Sequence, residues 1–263
     1  MNEEVLSPAA EATSGGMSRN LLKGIAIMAM VIDHTAHAFV PESSVLYLIM
    51  RFVGRITGPV MFFAAAEGYH HTKNINKYMM RLAIFAIVSY FPFIYFDAGG
   101  VLNGLNYSYI NVIFTIFLGV AAIRIRRELQ NPILKTLLIL VLFVLSFPAD
   151  WGPTGLLMML TFDYFYGSFR YQAFAYCLIA ILNAGLIQAA ENCVRTIVYN
   201  PGARFNISGY WYVIINSGML LPIIMLRFYN KKRGGGGRLS KWFFYVFYPA
   251  HLLVLGLLQF LFL

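Results

Sequence analysis

The sequence predicts an all-α fold: a polytopic integral membrane bundle of about nine transmembrane helices. Three observations predict it. Of the 263 residues, 59% are hydrophobic and only 12% charged, about half the charged share of a soluble domain. A water-facing surface of ordinary polarity cannot be built from that composition. The apolar residues also fall in runs of about 20, the length needed to cross a hydrocarbon core of about 30 Å. Finally, 20 Lys/Arg against 11 Asp/Glu give a formal net charge of +9, and the basic residues sit between the apolar runs. That is a topological pattern, so nucleic acid is not an expected partner.

Residues 1–18, with their Glu, Ser, Gly and Ala, read as a disordered tail, leaving 19–263 as one transmembrane domain. The first span covers 21–40. Arg19 and Lys23 at its start and Ala36-His37-Ala38 near its end resemble a secretory signal, but Asp33 and His34 interrupt the run where a signal is most apolar, so no cleavage is expected. Spans at 47–67, 78–96 and 107–124 follow. The fifth and sixth, 133–149 and 152–168, are short and flank a tight Asp150-Trp151-Gly152 turn between Pro148 and Pro153. Spans at 171–190, 209–228 and 242–262 complete the set, with the glycine run 234–237 read as a linker. Nine alternating spans put sixteen of the 20 Lys/Arg on one side, leaving Arg51, Arg55, Arg195 and Arg204 for the other side or within a span. The positive-inside rule then places the N-terminus in the cytoplasm. Cys177 and Cys193 fall at different depths, so neither a disulfide nor a metal site is expected from them.

A helix rises 1.5 Å per residue, so position in a span converts to depth. His34 lies roughly 16 Å beyond Lys23, His251 roughly 15 Å beyond Lys241, and Arg55 roughly 12 Å inside the opposite boundary. All three fall near the midplane, and Asp33 joins them by adjacency. Charged groups at that depth face a bundle interior or a cavity. A plain packing role is the alternative: a buried Asp–Arg pair, with the histidines bonded to backbone. Pro249, two residues before His251, frees a carbonyl there, and broken helices at mid-membrane line sites. Asp33 and His34 point about 100° apart on their helix, so Asp33 is expected to pair with Arg55 or to face another helix. Arg51 reads as an outer-end snorkelling residue, His37 as interfacial, and Asn111 with Thr115 as hydrogen-bonding groups that either join the site or hold helices together.

A second cluster, EGYHHTKNINKYMMR from Glu67 to Arg81, offers Lys73, Lys77 and Arg81 beside His70 and His71. It reads either as an anion-binding mouth or as ordinary positive-inside topology. No HExxH, P-loop, GxGxxG or GxSxG pattern is present, and no metal is expected.

Taken in order, RNLLKGIAIMAMVIDHTAHAF, GRITGPVMFFAAAEGYHHTKNINKYMMRLAIFAIVSYFPF, NVIFTIFLGV and FFYVFYPAHLLVLGLL resemble the TraX family. The similarity runs from about residue 19 to 258, with 150–210 contributing least. Members on conjugative plasmids acetylate the pilin N-terminus. The resemblance therefore implies a membrane-bound acetyltransferase, most readily an N-acetyltransferase, that takes acetyl-CoA as donor. Its acceptor would be a pilin-like peptide N-terminus or an envelope molecule. The family is also distantly similar to multi-pass acyltransferases of envelope glycans, whose first span carries a basic residue, ten intervening residues and a catalytic His; Lys23 and His34 match that spacing, with Lys in place of Arg. On this reading His34 is the general base, a role that suits imidazole near neutral pH. Asp33 accompanies it, and Arg55 or His251 polarises the thioester carbonyl. Lys23, Lys73, Lys77 and Arg81, with His70, hold the phosphates of CoA. A proton-coupled transporter and a non-catalytic assembly factor for an exported peptide are the rival readings. The first would be expected to show paired Gly/Pro-interrupted spans, which are not found.

Overall fold

The computed structural model describes residues 16–187, 189, 193, 210–232, 234–235 and 237–262. Every named element among them is helical. In chain order they are α1 (Arg19–Phe39), α2 (Val45–Gly54), α3 (Thr57–His71), α4 (Ile75–Val88), α5 (Tyr90–Asp97), α6 (Val112–Glu128), α7 (Pro132–Ser146), α8 (Gly152–Tyr164), α9 (Phe169–Asn183), α10 (Trp211–Ser217), α11 (Leu221–Arg227) and α12 (Gly237–Phe262).

Short polar residues start many of these helices. The side chains of Ser18, Ser44, Asn74, Asn111 and Asn131 each accept a first-turn backbone N–H, satisfying donors that have no partner within the helix. Pro132 opens α7, where its missing N–H costs nothing.

Two stretches are long and apolar enough to cross a membrane, Val45–His71 and Trp242–Phe262, and a third arises if α4 and α5 are taken together across a 40° bend. The expected span 78–96 is thus bent, at Ser89. Those expected at 133–149 and 209–228 correspond to shorter apolar helices, α7 and Trp211–Arg227. Large apolar side chains such as Ile133, Leu137, Val141 and Val144 stand exposed along α7, a surface suited to lipid and not to water.

Of the expected tail, residues 1–15 lie outside the described residues, as do Arg195 and Arg204. Met17 is paired, contrary to expectation. Its N–H donates to the Phe228 carbonyl at 2.7 Å, and its own carbonyl accepts from Asn230 N–H at 3.0 Å. Next to it, Arg19 N–H reaches the Lys232 carbonyl at 2.9 Å. The glycine run is also tied down, because Asn20 Nδ2 donates to the Gly235 carbonyl at 2.6 Å. The start of α1 is therefore clasped to the segment that leads into α12.

α1 packs on α2, α3 and α12; α6 packs on α3, α4, α7 and α8; and α5 packs on α12. Leu22, Val60, Phe62, Phe162, Tyr176 and Leu252 are fully enclosed. Helices in lipid are held by close packing and polar contacts more than by escape from water, and both are present. A Cβ on Gly256 would meet Tyr95 Cδ1 at 2.8 Å, so the glycine sets the approach of α12 to α5. Asn111 Nδ2 donates to the Ala86 carbonyl at 2.8 Å, Thr57 Oγ1 to the Ala26 carbonyl at 3.0 Å, and Thr115 Oγ1 to the Asp150 carbonyl. Asn111 and Thr115 thus tie neighbouring segments to each other.

Candidate active site

α1 to α6, α12 and the turn before α8 line a cavity of about 440 Å³, within the usual range of small-molecule sites, about 300–1,000 Å³. One end is basic, lined by Arg19, Lys23 and Arg81; the other carries Asp97, Tyr109 and Asp150. Between them lie Asp33, His34, Arg51 and Arg55.

The helix register of α1 turns Asp33 and His34 to different neighbours. Asp33 Oδ2 accepts from Arg51 Nη1 at 2.6 Å, across the α1–α2 contact. Gly54 makes that contact possible: a Cβ there would lie 2.1 Å from Asp33 Oδ1. The expected Asp33–Arg55 pair is therefore replaced by Asp33–Arg51, and Arg51 is a paired cavity residue, not a snorkelling one. Both arginines lie on one face, but only Arg51 is placed opposite Asp33. The Arg55 side chain makes no hydrogen bond or ion pair among the described residues; its guanidinium carbon lies 5.9 Å from the Trp151 ring centre, and its Nε is enclosed without a partner.

His34 meets His251, which lies 217 positions away in sequence: Nδ1 of the first is 2.8 Å from Nε2 of the second. His251 Nδ1 is 2.9 Å from the Phe247 carbonyl, one turn back on α12. His37 is exposed toward the acidic end, with Phe96 5.7 Å away.

Trp151 and Asp150 enter the cavity from the turn between α7 and α8. That turn is fixed by Ile110 N–H donating to the Pro148 carbonyl at 3.0 Å and by Asp150 N–H donating to the Ile110 carbonyl at 2.7 Å. Trp151 adopts φ 65°, a left-handed conformation unfavourable for a non-glycine residue, and its indole fills the space left by Gly58, where a Cβ would be 2.4 Å from Cζ2. Burial pushes the Asp150 carboxyl up to about 6, against the pull of the Arg55 guanidinium beside it. From sequence this segment is only a turn. The signal for more is a Trp and an Asp at a Pro-bounded junction between two short spans.

Of the cations expected to hold an anionic donor, Lys23 and Arg81 line the cavity, joined by Arg19. Lys23 Nζ sits 5.0 Å from the Phe244 ring centre, and Arg81 Nε is enclosed without a partner among the described residues. Lys73 and Lys77 are exposed and do not line it. His70 belongs elsewhere. Its Nε2 is 2.9 Å from Asp163 Oδ1, which also accepts from Arg127 Nε at 2.7 Å, while Asp163 Oδ2 accepts from Arg126. Asp163 is fully buried, and this network binds the ends of α3, α6 and α8. It is not among the expectations from sequence, although Arg126-Arg127 and Asp163 end two spans on the same side.

Among the described residues the named elements are all helical, some are apolar enough to cross a membrane, and a polar, ionisable cavity lies among them, which defines the class as a helical membrane protein. This chain belongs to the TraX family, described as "TraX protein", which matches residues 18–259. It is also similar to a protein of Dichelobacter nodosus described as "Probable fimbrial assembly protein FimC, serogroup H1", 33% identical over 251 residues, which covers 91% of this chain and 97% of the relative. No solved structure matches the chain.

Proposed function

We propose that this protein is a membrane-bound acetyltransferase that moves an acetyl group from acetyl-CoA to an exported or membrane-associated acceptor, a pilin-like peptide N-terminus or an envelope molecule. The observation that carries the reading is the cavity itself, lined in one space by a basic end, by the His34 imidazole that His251 contacts from behind, and by the unbonded Arg55 guanidinium. In this reading nine spans cross a bacterial inner membrane with the N-terminus in the cytoplasm, so the Arg19–Lys23–Arg81 end opens inward.

The residues present fit an anionic thioester donor. Arg19, Lys23 and Arg81 stand where phosphates would enter, and the enclosed Arg81 Nε has a donor to spare. The bound donor supplies an activated acyl carbonyl. His34 takes the proton of the attacking amine or hydroxyl. Arg55, whose donors are otherwise unused, stabilises the negative charge that develops on the acyl oxygen, an effect worth about 3–4 kcal/mol for a single donor. Asp33 holds Arg51 in place and is not the partner of His34.

A second reading has one observation in its favour: the relative's name describes fimbrial assembly, which suits a non-catalytic factor that holds an exported peptide in the same cavity. Calorimetric titration of the full-length protein in detergent with acetyl-CoA separates the two. Saturable binding that weakens in Arg81→Ala supports the transferase, and absence of binding at millimolar donor supports the assembly factor.

A further inference from the structure

We infer that His251 is a positioning residue that fixes the tautomer of His34, so that Nε2 of His34 is the atom that takes the proton. This deepens the acetyltransferase reading and rests on it for its consequence in turnover, though the tautomer itself is a property of the chain alone.

The order of protons starts at Phe247. A carbonyl oxygen only accepts, so the 2.9 Å contact from His251 Nδ1 to the Phe247 carbonyl puts the hydrogen on that nitrogen. In a neutral imidazole the other nitrogen is then bare, and Nε2 of His251 is an acceptor. It lies 2.8 Å from His34 Nδ1, so His34 donates through Nδ1–H. His34 Nε2 is left with a free lone pair. That nitrogen has no hydrogen-bond partner among the described residues, and the ring lines the cavity.

The ring geometry agrees with a true N–H···N bond and not with stacked imidazoles. The two ring planes are inclined by only 8°, and their centres are 5.1 Å apart. That separation exceeds the N–N distance by one ring radius at each end, so the two nitrogens meet head-on in nearly a common plane. The sequence supports the same arrangement. Phe247 is one helical turn before His251 on a helix that contains Pro249, so the carbonyl is supplied by the helix that carries the ring and does not depend on another segment. The chain of atoms runs from the Phe247 carbonyl through His251 to His34, and each link leaves one choice for the next. It has the logic of a carboxylate that orients a catalytic imidazole, with a backbone carbonyl and a second imidazole in place of the acid.

The protons balance in the transfer step. As the acceptor's nitrogen or oxygen bonds to the acyl carbon, its N–H or O–H bond breaks and the proton goes to His34 Nε2. His34 then carries a proton on each nitrogen, and its Nδ1–H bond to the uncharged His251 Nε2 steadies the cation. As the thioester C–S bond breaks, the proton on His34 Nε2 goes to the leaving thiolate of CoA, and His34 returns to its neutral Nδ1–H form. His251 gains and loses no proton, so neither of its nitrogens is free to polarise a carbonyl, the role considered for it from sequence.

The test is 15N spectroscopy of the histidine rings in the full-length protein, in detergent micelles, with assignment by His34→Gln and His251→Gln. The expected result is a bare-nitrogen signal for His34 Nε2 and a hydrogen-bonded N–H signal for His34 Nδ1. In His251→Ala the His34 pattern shifts toward the Nε2–H form that free imidazole prefers. In His251→Gln, whose carboxamide oxygen can accept, the Nδ1–H form is retained. Turnover should fall about 100-fold or more in His251→Ala, chiefly in kcat, and recover in part in His251→Gln. A wild-type His34 protonated on Nε2, or a His34 pattern unchanged by His251→Ala, overturns the inference whether or not the protein transfers acetyl groups. Conversely, the predicted tautomers in a protein with no turnover would uphold the dyad and count against the transferase.

Discussion

Asp33 on α1 bonds Arg51 on α2 at 2.6 Å, and this leaves the guanidinium of Arg55, one turn further along, without a hydrogen bond among the described residues. The two arginines share a helix face and yet do different work. One holds two helices together; the other keeps its donors for something else.

Replacement of the two arginines should therefore separate stability from activity. Arg51→Ala strands a largely buried carboxylate and should cost about 3 kcal/mol, somewhat less to the extent that the pair is wetted. Arg55→Ala loses an aromatic contact and an unbonded attraction to Asp150, together about 1 kcal/mol, while turnover falls about 100-fold or more. Thermal unfolding in detergent beside an acetyl-transfer assay checks both. An Arg55→Ala protein less stable than Arg51→Ala would reverse the pairing.

Gly54→Ala probes the same contact from the backbone. The added methyl would sit 2.1 Å from Asp33 Oδ1, so α1 and α2 must part or the carboxylate must turn. A loss of about 1–3 kcal/mol is expected, read as a lowered Tm. Gly24 serves as the control, since a Cβ there would meet nothing within 4 Å. Gly24→Ala should leave Tm unchanged or raise it slightly.

The basic residues divide into those inside and those outside the cavity. Lys23→Ala and Arg81→Ala should each weaken acetyl-CoA binding about tenfold, the loss of one charge-assisted contact. Lys73→Ala and Lys77→Ala should leave it within about twofold, because both side chains are exposed away from the cavity. Titration calorimetry of the four variants decides, and equal losses in all four would restore the broader mouth expected from sequence.

Asp150 gives a pH signature. Its carboxyl is raised to about 6 in the folded protein by burial, above the ordinary value of about 3.9. The folded state therefore holds its proton more tightly than the unfolded chain does. Its contribution to stability is fully present below about pH 4 and is lost as pH rises through about 6. Asp150→Asn removes that dependence, so the variant's Tm should gain on the wild type between about pH 4 and pH 6. A difference that is flat across this window would mean that Asp150 is ionised throughout.

Much of this site is legible in the sequence, because depth in a span is simple arithmetic. Distances to Lys23 and Lys241 place His34 and His251 at one level, and the fold brings their rings into contact. Depth says nothing about azimuth, however. Arg51 and Arg55 are one turn apart on one face, and the choice of partner for Asp33 depends on the close approach allowed by Gly54. Charge bias does not separate Arg81, which lines the cavity, from Lys73 and Lys77, which do not. The Asp163 network is hidden for a related reason: each of its members looks like the polar end of a separate span. Trp151 reads as a turn residue, and its place beside Arg55 depends on a left-handed backbone that composition does not announce.

Whether His34 serves an acetyl transfer inside this cavity is tested most directly by following labelled acetyl from acetyl-CoA. The acceptors are peptides with a free N-terminus, and envelope lipids and glycans. Wild type and His34→Ala are compared side by side, with both proteins shown by size exclusion and thermal unfolding to be folded. The predicted result is transfer by the wild type to at least one acceptor and loss of that transfer in His34→Ala. Equal turnover in the two proteins would contradict the role of His34, and no transfer by the wild type to any acceptor would contradict the enzyme.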